Sequence, residues 1–151
     1  MSFLNTIINS VGDGSVKERL QERIELVAHK IKFMDKIQVA CLDTENWQSN
    51  SLNEIIEAAG GIIQENANLA QVVIYQEANV GIVELMGSVP ALLDHNWPSV
   101  TYNRVYLVEN DDIASGDPAA MVAALEDVVE MLYPGYFVFG NEGTTWTSFG
   151  V

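Results

Sequence analysis

The residues that could perform nucleophilic or acid–base chemistry are one cysteine, Cys41, and two histidines, His29 and His95. Catalysis by a Cys41–His95 pair would require both side chains to meet beside a substrate pocket. Cys41 lies within an apolar, strand-like run, where cysteines usually pack as inert small hydrophobic residues. His29 falls beside lysines on a predicted helix surface. We therefore predict no catalytic residues, no cofactor and no enzymatic activity.

Two segments are similar to known ligand loops but lack features that those loops require. Residues 12–17 precede a helix, but they lack the G-x-x-x-x-G-K-[ST] spacing of a phosphate loop, and no strand comes before them. A helix cap is the better interpretation. Residues 111–117 resemble a calcium loop, yet Ile113 stands where that loop needs an oxygen ligand. We expect no dedicated metal site.

Charge is distributed very unevenly along the chain. Residues 1–36 carry six Lys or Arg and five Asp or Glu, whereas residues 37–151 carry sixteen acids and a single base, Arg104. The net charge of −14 argues against binding to nucleic-acid backbones, which requires clustered cations. Self-repulsion of this kind costs stability. The acidity therefore serves either a function or simple solubility, and the sequence leaves both open.

The length of 151 residues predicts a single domain, residues 1–151. Hydrophobic periodicity predicts the α+β class, with a small, largely antiparallel sheet and helices packed on one face. The strongest strand signal, at residues 72–76, is typical of an interior strand. We expect it to form a hairpin with residues 82–86. Residues 1–14 form an amphipathic helix or arm that is too short to be stable alone. This arm should dock on its own domain or on a neighbouring subunit.

Aromatic and apolar residues favour an interaction role. The three tryptophans fall in or beside polar, turn-rich segments, and tryptophan is enriched at interface hot spots. Residues 143–151 combine few charges with high β-propensity, so an exposed edge there invites pairing with a partner. The expected assembly contacts are Phe3, Ile7, Trp47, Trp97 and Trp146.

The order of predicted elements is the broadest pattern in the sequence. An amphipathic helix, a short strand and a polar segment precede an apolar strand at residues 70–77, a hairpin and a strand at residues 102–108. A polar loop, a helix at residues 119–132 and a last strand complete the order. Over residues 15–140 this order resembles that of the tail-terminator, or tail-completion, proteins of contractile, Mu-like bacteriophages. The resemblance implies a structural virion protein of the tail or neck, assembled in the cytoplasm of a bacterial host.

The resemblance also implies a set of partners. Six copies would form a homo-oligomeric, hexameric ring that closes the head-proximal end of the tail tube. The ring would contact tube protein, sheath protein and a head-completion protein of the neck, and no membrane. DNA would only pass through, because an acidic lumen cannot grip its phosphates. The candidate lumen-facing acids are Glu109, Asp111 and Asp112.

A protein of another class fits the same composition. An acidic immunity protein or antitoxin would inhibit a basic nuclease by charge mimicry, and complementary charge would speed the association. A ring or concentration-dependent oligomer would favour the tail terminator. A monomer or dimer that binds one basic partner would favour the inhibitor.

Overall fold

The computed structural model describes residues 2–109 and 117–149, except for the side chains of residues 2–4. The α-helices are α1 (Ser2–Asn9), α2 (Gly14–Ile31), α3 (Asn53–Ala58), α4 (Ile82–Ser88), α5 (Pro98–Thr101) and α6 (Pro118–Leu132). The strands are β1 (Ile37–Leu42), β2 (Gly61–Ile63), β3 (Val72–Tyr75), β4 (Val105–Val108) and β5 (Trp146–Ser148). Within this described part of the chain, no helix is both long and apolar enough to cross a lipid bilayer.

Helices pack around a five-stranded sheet of order β2-β1-β3-β4-β5, which confirms the α+β class and the interior position of β3. The expectation of a largely antiparallel sheet is wrong. Strands β1 to β4 run parallel, and only β5 is antiparallel to its neighbour, β4. The error arises at residues 82–86, which form helix α4 instead of a hairpin strand. A helical connection carries the chain across the sheet, so the next strand runs parallel to β3.

Helices cover both faces of the sheet, so the expectation of helices on one face is also wrong. Cys41, Ile74 and Tyr106 face a large core built with α1, α2, α3 and α6. Tyr75 and Leu107 face a second core built with α4, α5 and the turn between them. All residues of β3 and β4 are buried. Burial of both faces is typical of parallel strands connected by helices.

Helix ends explain how the sequence places these elements. Asp13 caps α2, since its carboxylate accepts hydrogen bonds from the backbone N–H groups of Ser15 and Val16, which confirms the helix-cap interpretation of that segment. Asp117 caps α6 in the same way, with Pro118 at the first helical position. The short helix α1 docks on α2 and α6 of its own chain.

Candidate functional site

The order in which the chain adds strands to the sheet changes direction between β1 and β3. From β1 the chain moves outward to β2 on one side, and it then returns to build β3 and β4 on the other side. In open sheets of parallel strands, ligands bind in the crevice outside the carboxyl ends of the strands at such a switch point. The carboxyl ends of β1 to β4 lie at the same end of the sheet, and we call this end the carboxyl edge. We call the opposite end the amino edge. The loops that follow β1 and β3 therefore form the candidate site.

The loop after β1, residues 43–48, is held rigidly by its own hydrogen bonds. The Asp43 carboxylate accepts the backbone N–H groups of Glu45 and Trp47 at 2.8 and 3.0 Å. The Asn46 backbone adopts φ 60°, a left-handed conformation that Asn tolerates better than most residues. The buried Tyr75 hydroxyl donates to Asn46 Oδ1 at 2.7 Å, so the end of β3 anchors this loop.

Side chains join the two loops across the crevice. Thr44 Oγ1 donates to Glu77 Oε1 at 2.9 Å, and Ser51 Oγ donates to Gln76 Oε1 at 2.5 Å. Residues 51–54 have the S-x-x-E pattern of a helix capping box, but Ser51 makes this contact and does not cap α3. These bonds join the loops after β1 and β3 to each other.

The rim of the crevice is acidic and carries one large exposed aromatic ring. Asp43, Glu45 and Glu77 lie in the two loops, and residues 43–51 and 76–81 contain no Lys or Arg. The side chain of Trp47 is 68% exposed although its backbone is fixed. An apolar ring displayed on a rigid loop beside carboxylates can stack on a ligand whose donor groups or positive charge pair with the acids.

Glu109, a candidate lumen acid, lies at the same edge, directly after β4. Its Oε2 atom accepts the backbone N–H of Ile82 at 3.3 Å, so it caps the start of α4. Val83, in the first turn of α4, is 83% exposed and adds apolar surface beside the crevice. The other two lumen candidates, Asp111 and Asp112, lie outside the described residues, as does most of the calcium-like run at 111–117.

The structure does not bring Cys41 and His95 together. Cys41 is buried in the core on the α6 face, and His95 is exposed in the segment that covers the opposite face. Burial raises the pKa of the Cys41 thiol to about 12, although a hydrogen bond with Ser49 opposes the rise. A thiol of this kind stays protonated at neutral pH and is a poor nucleophile. His29 is exposed on the last turn of α2.

Among the described residues, no three His, Cys, Asp or Glu side chains are grouped in a way that could hold a metal ion. The Asp43 carboxylate is instead engaged with backbone N–H groups, and that of Glu77 with Thr44. The crevice therefore offers hydrogen-bond acceptors and negative charge to a ligand, but no assembled set of metal ligands.

The residues predicted as assembly contacts occupy different environments. Trp97 and Trp146 are buried, at 8% and 3% exposure, and belong to the two cores of the domain. Ile7 is partly buried against the core on the α6 face. The side chain of Phe3 lies outside the described part of the structure. Of the three tryptophans, Trp47 alone is exposed, and the structure places it at the carboxyl edge.

Sequence reasoning named Trp47 as an assembly contact and Glu109 as a lumen-facing acid, and it did not single out Asp43, Asn46 or Glu77. Each of these follows a buried strand by one to four residues. A position just after a strand indicates a shared site only when β1 and β3 are known to be parallel neighbours. The prediction of a hairpin after β3 implied an antiparallel sheet, so the sequence did not point to this site.

Comparisons with known proteins address the fold. No protein-family model matches the sequence, and no curated protein is significantly similar to it. Among solved structures, an ABC transporter substrate-binding protein from Listeria monocytogenes superposes with a TM-score of 0.61 at 15% identity. Two structures of Helicobacter pylori CeuE, one with a nickel–histidine complex and one with Ni(II) bound, give TM-scores of 0.54 and 0.56 at 13% and 15% identity.

These likenesses show a shared fold. They cover 79–80% of this chain but only 56% of the Listeria protein and 45% of CeuE, so the chain spans about half the length of the proteins that it matches. The prediction of a phage tail terminator is wrong, because the similar structures are an ABC transporter substrate-binding protein and CeuE with bound nickel. The resemblance to tail terminators rested on the order of helices and strands along the chain. That order does not specify whether neighbouring strands run parallel or antiparallel.

Proposed function

We propose that this chain is a ligand-binding domain that takes a small molecule in the crevice between the loops after β1 and β3. The observation that carries the proposal is Trp47, a mostly exposed tryptophan whose backbone N–H is held by the Asp43 carboxylate in the loop that Thr44 joins to Glu77. The ligand has an apolar face for the ring and donor groups or a positive charge for the acids.

Three features support this assignment. The crevice is at the strand-order switch point, where ligands bind in open sheets. Its loops are held in place before any ligand arrives, which lowers the entropy cost of binding. One protein that shares the fold is named as a substrate-binding protein, and another, CeuE, was solved with a nickel–histidine complex.

A single flat edge buries too little of a ligand for tight binding, since ligand sites usually enclose most of the molecule. We propose that a second domain or chain closes over the carboxyl edge, as the two lobes of periplasmic binding proteins close around their ligands. The exposed apolar side chains of Val83 and Met86 on α4 would lie at that closing surface.

Two complementary binding measurements test the proposal. The protein is titrated with the nickel–histidine complex while the fluorescence of Trp47 is followed in a variant that carries Trp97→Phe and Trp146→Phe. The same protein is incubated with a bacterial small-molecule extract, and bound molecules are detected by native mass spectrometry. We expect a saturable complex in at least one measurement.

Matched variants locate the ligand. Trp47→Ala should abolish the complex or weaken it about tenfold, because stacking on an indole contributes roughly 1 kcal/mol or more. Phe33→Ala removes an aromatic side chain that is 91% exposed and precedes β1 at the amino edge, so it should leave binding unchanged. Equal binding by both variants, or no complex in either measurement, would contradict the proposal.

A further inference from the structure

The amino edge carries several of the exposed apolar side chains of the domain. Among the described residues, ten large apolar side chains are exposed, and four of them lie in segments that precede β1, β3 and β4 or follow α6: Phe33, Leu69, Tyr102 and Tyr136. Phe33 is almost wholly exposed, in the turn between α2 and β1. Single exposed apolar side chains are ordinary, but a group of them on one surface marks an interaction site.

Hydrogen bonds join these segments into one surface. The Gln71 backbone N–H donates to the Gln38 carbonyl at 2.9 Å, which connects the starts of β1 and β3. The Arg104 carbonyl accepts a backbone N–H from β3 at 3.1 Å, and Lys30 Nζ donates to the Tyr136 carbonyl at 2.7 Å. Because neighbouring strands lie about 4.8 Å apart, the segments that carry the four apolar side chains lie side by side at one end of the domain.

The same surface is the positive region of an acidic protein. Its segments contain four Lys or Arg and one acid, Asp35, whereas the rest of the chain contains three Lys or Arg and twenty Asp or Glu. These segments are residues 30–36, 59–60, 69–71, 102–104 and 133–136. The last turn of α3 adds one exposed acid, Glu57. The acids of the crevice lie about 20 Å away along β1, and salt screens charges beyond about 8 Å, so the amino edge presents a local positive charge.

Lysines accompany the most exposed ring of this surface. Lys32 Nζ lies 5.4 Å from the Phe33 ring centroid. Lys30 and Lys36 are exposed on either side of Phe33 in the sequence. Arg104 adds little to the exposed charge, because it donates to backbone carbonyls at the end of α6. Three exposed lysines and one projecting aromatic ring therefore occupy the turn between α2 and β1.

We propose that the amino edge docks on the surface of an anionic lipid bilayer. Lys30, Lys32 and Lys36 lie against the phosphate headgroups, and the Phe33 ring enters the boundary between headgroups and acyl chains. Lysines beside exposed aromatic residues bind anionic membranes in this way. The crevice at the opposite end of the sheet then faces away from the bilayer, so the docking surface is independent of the ligand site.

Two observations favour a bilayer over an acidic protein. Phe33 projects from a turn, and a bilayer closes around a projecting ring, whereas a protein partner needs a matching pocket. Tyr102 and Tyr136 combine an apolar ring with a hydroxyl, which suits both side chains to the level of the headgroups. Binding through one ring and three lysines is reversible.

Sedimentation of the full chain with lipid vesicles tests the proposal. Vesicles of phosphatidylcholine and phosphatidylglycerol in equal amounts should bind the protein, and vesicles of phosphatidylcholine alone should not. Raising the salt concentration should release the protein, because salt screens the attraction of the lysines. In a Phe33→Trp variant, brominated acyl chains should quench the added tryptophan, and they should leave the fluorescence of the wild-type protein unchanged.

Matched variants locate the contact. Phe33→Ala should weaken vesicle binding about tenfold, and Lys32→Gln should weaken it about fivefold. Arg19→Gln removes the same charge at an exposed position about 20 Å from Lys32 along α2, so it should not change binding. Trp47→Ala removes an exposed ring at the carboxyl edge and should also leave vesicle binding unchanged.

Equal binding to both kinds of vesicle, no binding to either, or an equal effect of Lys32→Gln and Arg19→Gln would contradict the proposal. Soluble polyglutamate serves as the acidic-protein probe. If it binds as tightly as the anionic vesicles and Phe33→Ala causes no loss, the surface fits an acidic protein and the bilayer proposal is wrong.

Discussion

The two edges of the sheet use their polar side chains in different ways. At the amino edge, Arg104 donates to the backbone carbonyls of Met131 and Leu132 at the end of α6, and the Tyr133 hydroxyl donates to the carbonyl of Asp35. At the carboxyl edge, Thr44 instead bonds the side chain of Glu77, and Trp47 remains exposed.

The difference predicts different roles for the two sets of polar groups. Carbonyls at helix ends have no partner within the helix, so the amino-edge contacts satisfy backbone groups that folding leaves unpaired. The carboxyl-edge contacts hold the loops after β1 and β3 in position, through backbone N–H groups bonded to Asp43 and through the Thr44–Glu77 bond, and they leave Trp47 exposed. Substitutions at the amino edge should therefore reduce stability, and those at the carboxyl edge should reduce binding.

The core beneath both edges should produce the largest effect. Ile74 in β3 is fully buried, and Ile74→Ala should lower the free energy of unfolding by about 2–5 kcal/mol through lost burial and a residual cavity. Urea denaturation measures the change, with Val138→Ala, at an 84% exposed position, as the control. A loss well below 1 kcal/mol at Ile74 would show that the core is placed wrongly.

The second-largest loss of stability is expected at the amino edge. Arg104→Met keeps a long side chain but removes the donors to two carbonyls and to the Tyr106 hydroxyl. We expect a loss of about 2 kcal/mol, since hydrogen bonds from charged groups contribute more than neutral ones. Arg19→Met, at an exposed position of α2, is the control. Weaker ligand binding by folded Arg104→Met protein would contradict the prediction that amino-edge substitutions affect stability and not binding.

A smaller, pH-dependent effect comes from Asp127 in α6. Burial raises the pKa of this carboxyl, while hydrogen bonds from Thr145 and Asn141 oppose the rise. The folded protein therefore holds the proton more tightly than the unfolded chain. The contribution of Asp127 to stability should grow as pH falls from neutral through the folded-state pKa, and it is lost as pH rises through that value.

Asp127→Asn preserves the shape of the side chain and removes this titration. The difference in unfolding free energy between the wild-type protein and the variant should shift in favour of the wild type as the pH is lowered from 7 towards the ordinary Asp pKa of about 3.9. Glu25→Gln provides the control for the change in net charge. A difference that moves the other way with pH would mean that the carboxylate is stabilised, and not penalised, by its surroundings.

The smallest effect on stability is expected at the carboxyl edge. Thr44→Val removes the bond to Glu77 and should cost only about 0.5–1 kcal/mol, because the bond is neutral on the donor side and partly exposed. The free energy of ligand binding should fall by more than the free energy of unfolding, because Glu77 loses the bond that holds its side chain in position. Thr147→Val on β5 is the control. Equal ligand binding by the two variants would show that the Thr44–Glu77 bond does not contribute to binding.

Local sequence signals predicted the elements well where a helix or strand has clear ends. Asp117-Pro118 and Pro134-Gly135 bracket α6, and the β-branched run at residues 72–76 gives the buried central strand. Residues 82–86 were misassigned because β-branched and apolar residues favour a strand locally, whereas Gly81 and the carboxylate of Glu109 allow a helix to begin there.

The candidate site depends on strand direction and therefore could not be assembled from the sequence. Asp43 and Glu77 are far apart in the chain, and their loops meet only because β1 and β3 are parallel neighbours. Similarly, no local pattern distinguishes the exposed Trp47 from the buried Trp97 and Trp146, since all three lie in polar, turn-rich segments.

The central claim is that a small molecule binds at the carboxyl edge. The most direct test maps backbone amide shifts by NMR while the ligand found by mass spectrometry, or the nickel–histidine complex, is added to the ¹⁵N-labelled protein. Saturable shifts should concentrate at residues 43–48 and 76–81 together with the Trp47 indole. Shifts that concentrate at the amino edge, around residues 30–36, 102–104 and 133–137, would contradict the account.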